Sequence, residues 1–354
     1  MIRKLIMFFF YLFNVSVFSQ NIETVDEWEK KFLKNWDKEY SIAYVQSTSG
    51  DSWKFYNLAY SIDANNAMFQ ATGKTIYLDR ALLYINNIQK SAIVSAKIKK
   101  SQFKDNYLGW PNHTAPSLGD DGKEYPLFES YCWRYITSLL YIIKKSPAIY
   151  SNKKYKSQFD SILAFTEKNI FDKWYSRGEN NIYRSNVHMS SHWARISMDL
   201  YLITSKAKYK KVTDFFIDKF KNQIIVNPKN KNAISWKASW KEGKAQDVGH
   251  GNAVVSTVID MYEKKTAFNN MDIDNLIITF DKVIWKSSYE FAERFDGSGN
   301  GSGWFTDGLI KLGRYSRALQ RRLEKHDKGR STQFYGNCAL NSRILLAGKP
   351  VYPN

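Results

Sequence analysis

Cysteine is nearly missing from this sequence: Cys132 and Cys338 are the only two in 354 residues. That excludes a small disulfide-stapled domain, and neither cysteine has a second one at metal-ligand spacing. The two lie far apart in the chain, so a bridge would need late segments to return to early ones, as in a closed ring. Two free buried thiols are the equal alternative. Histidine is also scarce, with five copies. His188 and His192 have the i, i+4 spacing that suits zinc, but no glutamate follows His188 in the metalloprotease manner, and no metal is expected. There is no serine-centred nucleophile elbow, phosphate loop or dinucleotide fingerprint. Beyond the first 18 residues no apolar run approaches the ~20 residues of a spanning helix, and no stable membrane insertion is expected.

The one apolar run is at the start. Arg3 and Lys4 precede Leu5 to Phe13 and Val15 to Phe18, and Val17 and Ser19 form a small-residue site before Gln20. This is the pattern of a cleavable signal peptide over residues 1–19, which places the protein in the periplasm or the medium. No cysteine follows at once to take a lipid. Residues 20–354 are expected to form a single catalytic domain, monomeric.

Acidic residues are in the minority, 34 against 52 basic ones, for a formal charge of +18. Loss of the leader brings it to +16. A basic surface attracts polyanions. Nucleic acid is not an expected partner for an exported protein; an acidic polysaccharide is. The same excess also follows from a lysine-, asparagine- and isoleucine-rich composition of the kind an AT-rich coding sequence imposes. Aromatic residues make up 16%, with 11 Trp and 23 Tyr, which serve equally as core material and as platforms for sugar rings.

Strict alternation of apolar and polar residues is rare, so strands are few. Apolar residues recur at helical spacing instead: Trp53, Tyr56, Ala59, Tyr60 and Ala64 on one stripe, Ala81, Ile85, Ile88 and Ala92 on another, Leu127, Tyr131, Tyr135, Leu139 and Ile142 on a third. Helices follow one another as hairpins: a turn near Gly73 before a helix from about Asp79, a turn at Thr204 before one through Tyr209, a turn at Lys264 before one over Ile273 to Ile284. Repeated helical pairs make a solenoid or a closed ring. The irregular period and the length predict an all-α fold, an (α/α) toroid of five to seven helical hairpins with little or no β-structure.

Three segments interrupt the pattern: 103–126 with Trp110 and His113, 226–250 with Trp236 and Trp240, and the glycine-rich 296–303 followed by Trp304. Long loops inside a compact domain tend to be functional. Asp247-Val-Gly-His-Gly-Asn252 carries the sharpest signal. Its glycines would let backbone crowd the His250 ring, and Asp247 could hold that ring or cap a helix. His188 and His192 would share a helix face, and Arg195 could pair with Asp199. Arg294, Asp296, Trp304, Asp307, Lys311 and Tyr315 form a third cluster, and Glu129 opens a helix after the first loop. His326, among charges, reads as solvated.

Several motifs in order, Asp247-Val-Gly-His-Gly-Asn-Ala-Val-Val, Asp296-Gly-Ser-Gly, Trp304, Asp307-Gly, Leu312-Gly-Arg-Tyr315 and Tyr335-Gly-Asn-Cys-Ala-Leu-Asn341, resemble the helical-toroid polysaccharide lyases, nearest polysaccharide lyase family 38. The likeness spans residues 125 to 345. It implies β-elimination on alginate- or glucuronan-like uronate chains, the work of a carbon–oxygen lyase, with His250, Tyr315, Arg294 and His192 catalytic. His192 stands where such lyases tend to carry Asn, and Asn186 could supply the amide. Substrate contacts are expected from Asn186, His188, Trp110, His113, Glu129, Trp193, Asp247 and Trp304. Two alternatives stand beside it: an (α/α)-barrel glycoside hydrolase using paired carboxylates from Glu129, Asp247, Asp296 and Asp307, and a sugar-binding toroid without catalysis.

Overall fold

A computed structural model describes residues 21–299, 304 and 307–354. The expected leader, 1–19, lies outside the described residues, as does part of the glycine-rich segment. The chain runs through α1 (Val25–Leu33), α2 (Trp36–Thr48), α3 (Ser52–Thr72), α4 (Thr75–Ser91), α5 (Pro126–Lys145), α6 (Pro147–Ser151), α7 (Lys153–Phe165), α8 (Lys173–Ser176), α9 (Val187–Thr204), α10 (Ala207–Lys221), α11 (Val248–Glu263), α12 (Asn270–Ile278), α13 (Asp307–Lys311), α14 (Arg317–Lys325) and α15 (Thr332–Ala347). Turns of π-helix, Thr166–Asp172 and Thr279–Ile284, extend α7 and α12. Among the described residues the named strands form two short antiparallel pairs, β1 (Ile93–Val94) with β2 (Leu108–Gly109) and β3 (Ile225–Asn227) with β4 (Asn230–Ser235).

Six helices close a ring in which α3, α5, α9, α11, α13 and α15 each pack on the next and α15 returns to α3. The others lie outside, α4 on α3, α10 on α9 and α1 on α15. This is the expected all-α toroid. Hairpin boundaries follow local chemistry. Asp51 caps α3 by accepting from the Trp53 N–H, and Gly73, at φ 76°, ends it in the left-handed conformation that glycine adopts without strain. The return helix starts at Thr75, a few residues before the expected Asp79.

Ring closure brings Cys132 on α5 and Cys338 on α15 into one core, where both are free and buried. Burial pushes both thiols well above their ordinary pKa.

The inner helices run the same way. Early residues of α3, α5, α9 and α11 meet around one cavity at one end of the lumen, and later residues of the same helices surround another at the far end. Between them Arg134 on α5 and Asp307 on α13, both fully buried, pair at 2.9 Å and plug the middle.

Candidate active site

The cavity at the leading ends of the helices has a volume of about 170 Å3, room on the scale of one sugar ring. Helix α3 contributes Tyr56 and Tyr60, one turn apart; α5 gives Tyr131, α9 His188 and His192, and the first turn of α11 Gly249, His250, Asn252 and Ala253 with the cap Asp247; Trp304 closes one side. The tyrosines form a rigid wall. Tyr56 and Tyr131 stack at 3.7 Å and 9°, the Tyr131 hydroxyl donates to that of Tyr60 at 2.7 Å, and the Tyr131 ring meets His192 edge-on at 5.2 Å.

Asp247 does both jobs its position allowed. Its carboxylate caps α11 through the His250 backbone N–H at 2.9 Å, and it holds the His250 ring with oxygens 2.9 and 3.0 Å from Nδ1. The glycines beside it have other reasons than crowding the imidazole. A Cβ on Gly251 would fall 2.1 Å from the Phe295 ring, and one on Gly249 would sit 3.2 Å from Trp304 Nε1. One glycine lets α11 pack, and the other lets Trp304 reach the cavity.

Charge divides the three histidines. Burial favours a neutral Asp247, but hydrogen bonds from the His250 ring and N–H, with the charges of His250 and His188, outweigh it and bring the carboxyl to about 2. The hydrogen bond to Asp247 raises His250 above the usual histidine value, against the effect of burial. Burial, and then the charge of His250, takes His188 down to about 3. Burial and the nearby Arg134 hold His192 well below the ordinary range. His192 is fully buried and neither ring nitrogen has a hydrogen-bond partner among the described residues; His188 lies 4.3 Å from His250 ring to ring, with its Nδ1 likewise unpartnered. Among the described residues no lysine or arginine lines this cavity.

Of the expected site residues, His250, His192, His188, Asp247 and Trp304 come together here, and the others do not. Trp110 is core, its indole N–H donating to the Ile88 carbonyl. Trp193 is core as well. Glu129 is fully buried outside the lumen, bonded to Lys173 and to the Trp174 indole. His113 is exposed on a loop beside Asp120, and Asn186 precedes α9 without lining the cavity. Arg294 turns to the Ala245 carbonyl and Glu293. Tyr315 lies beyond the end of α13, its hydroxyl donating to Glu263 at 2.7 Å, and burial raises its pKa well above the ordinary phenol value. Arg195 pairs with Asp260, not Asp199. His326 is packed against Trp285 and Phe291 instead of solvated.

Tyr56, Tyr60 and Tyr131 went unnoticed as site residues because each sits on a stripe that reads as core. The available signal was phenol tips clustered in the first turns of two helices.

The hydrolase alternative fares unevenly. Of its four carboxylates only Asp247 faces the cavity; Asp296 is bonded to Ser298, and Asp307 to Arg134 and Lys311. Among the described residues no group of three or more His, Cys, Asp or Glu is placed to hold a metal, and no helix is long and apolar enough to cross a membrane.

No protein-family model matches the chain, and no curated protein is similar to it. Solved structures similar to it include the GH76A α-1,6-mannanase of Salegentibacter sp. HEL1_6, at 11% identity with a TM-score of 0.44. Two inactive variants of that mannanase, in complex with α-1,6-mannotriose and α-1,6-mannotetrose, give TM-scores of 0.43 and 0.45 at the same identity. Each match covers 88% of this chain and 99% of the other. These neighbours are hydrolases, and the expectation of a family 38 lyase acting by β-elimination on alginate or glucuronan is corrected. The geometry agrees: Arg294 and Tyr315, two of the four residues meant to carry elimination, are absent from the cavity, and no fixed cation stands there to neutralise a uronate carboxylate. An all-α toroid with one histidine- and tyrosine-lined cavity at the leading ends of its inner helices is what the chain presents.

Proposed function

We propose that the protein is a glycoside hydrolase that holds an uncharged sugar ring in the His–Tyr cavity, with His250 as proton donor. The observation that supports this is the Asp247–His250 pair at the rim of an aromatic-walled cavity with no lysine or arginine in its lining among the described residues. Asp247 favours the protonated form of His250, and that imidazolium gives its proton to the glycosidic oxygen as the C–O bond breaks. Tyr56, Tyr131 and Trp304 offer faces for the C–H side of the ring. His192, deep in the cavity and neutral, offers an unpartnered ring nitrogen to orient the attacking water.

The test is a panel of neutral, sulfated and uronate polysaccharides, read for new reducing ends and for the ultraviolet absorbance of unsaturated sugar. Reducing ends without that absorbance are expected. Absorbing product would overturn the reading, and binding without any product would favour a non-catalytic sugar-binding toroid. Export belongs to the same proposal: protein recovered from periplasm or medium should begin at about Gln20, and an intact Met1 on exported protein would refute it.

A further inference from the structure

A second, larger cavity of about 520 Å3 lies beside the first. The partition is thin. Consecutive residues of α9 face the two sides, His188 one and Met189 the other. Phe128, on the wall of the larger cavity, meets Tyr56 of the smaller one edge-on at 6.3 Å. Phe103, Tyr125, Phe128 and Trp174 give the larger cavity an aromatic lining of its own.

Two positive charges of this lining, Arg184 and Lys123, have no ion pair among the described residues, and only Arg184 is half-buried, Lys123 being exposed. Lys173 and Arg177, just behind the lining, are matched: Lys173 to Glu129 at 2.8 Å, Arg177 to Asp105 at 2.8 Å and to Glu124 at 3.2 Å. These pairs use up Glu124, the one carboxylate of the lining. Arg184 has no such partner. Among the described residues its guanidinium meets only the Met189 sulfur, at 3.5 Å, and no carboxylate lies within ion-pairing distance. It is half-buried, and burial, the sole cause acting on it, lowers its pKa. A partly desolvated arginine without a counter-ion is costly unless something else supplies the anion. Lys123 adds a second positive charge to the same lining.

We propose that this cavity is the neighbouring subsite of the same glycan cleft, and that Arg184 there reads an anionic substituent, a sulfate ester or a carboxylate, on the sugar next to the one cleaved. The proposal rests on the hydrolase reading of the smaller cavity. The guanidinium fork suits an oxyanion with two accepting oxygens, and the aromatic wall suits the ring that carries it. The substrate is then a mixed chain, uncharged at His250 and anionic one residue away. The excess of basic over acidic residues, +16 once the leader is removed, would steer such a polymer to the surface.

The test compares Arg184→Met with the unaltered protein on an oligosaccharide from a polymer the panel shows to be cleaved, in three forms: sulfated, chemically desulfated, and carrying a uronate at the adjoining residue. A hydrogen-bonded charge pair is worth roughly 1.5–3 kcal/mol, so the preference for the anionic over the uncharged form, as a ratio of kcat/KM, should fall about tenfold to a hundredfold. The form that loses most identifies the anion. Met189→Glu, which places a carboxylate beside Arg184, should cost a similar preference and covers the case in which Arg184→Met folds poorly. Hydrolysis with no preference for either anionic form, or a preference unmoved by both variants, overturns the subsite and leaves the hydrolase intact. If no glycan is cleaved, the hydrolase reading falls, and calorimetric binding of the sulfated oligosaccharide decides the subsite alone: binding weakened by Arg184→Met keeps it, and unchanged or undetectable binding removes it.

Discussion

The two ends of the ring's lumen are lined by the same helices and could hardly differ more. At the far end every charge is answered. Lys311 holds Asp63 and Asp307, each at 3.0 Å, Arg314 holds Glu263 at 2.9 Å, Arg195 pairs with Asp260, and Lys264 with Asp199. Gln333 and Asn337 of α15 both donate to Asp63 at 2.9 Å. The space left among these groups is about 60 Å3. At the leading end His192 and His188 have ring nitrogens without partners, and the space is about three times as large. A satisfied ionic cluster fastens helices from opposite ends of the chain to one another. Unsatisfied imidazoles beside aromatic faces are groups held ready for something else. Density of charge in a cavity is therefore a poor guide to function, and unpaired polarity a better one.

The comparison breaks first if the leading end can be altered without cost. His250→Ala should lower kcat by about 10²–10⁴-fold, more than it changes KM, with circular dichroism unchanged; a folded variant at near wild-type rate would end the assignment. The far end makes the opposite claim, that its charges hold the fold. Asp307→Ala leaves Arg134 and Lys311 facing each other in the buried middle of the lumen, and should cost about 3–5 kcal/mol in urea unfolding. A loss below about 1 kcal/mol would mean the network is not structural.

A pH profile sharpens the contrast further. As a general acid His250 must carry its proton, and its pKa is raised by Asp247. Activity should therefore hold through the usual histidine range and fall only as pH rises past the raised value. In Asp247→Asn the raising partner is gone while burial, which lowers the pKa, remains, so the alkaline limb should shift to lower pH. An unmoved limb would assign it to another group. The smallest effect belongs to Tyr315→Phe. It removes one hydrogen bond to Glu263, worth about 0.5–1.5 kcal/mol of stability, and should leave turnover within about twofold. A large loss of turnover would return Tyr315 to the chemistry.

What could be read in advance follows the same geometry. Helical pairing was legible because apolar spacing is local: the turns at Gly73, Thr204 and Lys264 are where α3, α9 and α11 end. The Asp247–His250 contact was legible because i, i+3 at a helix start brings the two side chains together. Tyr315 and Arg294 match the lyase site in residue type alone, and residue type does not place a side chain in space. In a ring of co-directional helices only the first turns of the inner helices reach the leading end. Tyr56, Tyr60, Tyr131, His188, His192 and His250 all obey that rule, and Tyr315, past the end of α13, is carried to the other side. The rule needs the direction of each helix, which periodicity alone does not supply.

That shared direction has an electrical consequence. Each long helix carries the equivalent of about half a positive charge at its start and half a negative one at its finish. Because α3, α5, α9 and α11 point the same way, their dipoles add instead of cancelling as they would in an antiparallel bundle. The small cavity sits at the positive pole with no lysine or arginine in its lining among the described residues, and the dipole there favours the capping Asp247 as an anion. At the negative pole Lys264, Lys311 and Arg314 stand among Asp63, Asp260 and Glu263. The toroid is polarised along its axis by its backbone.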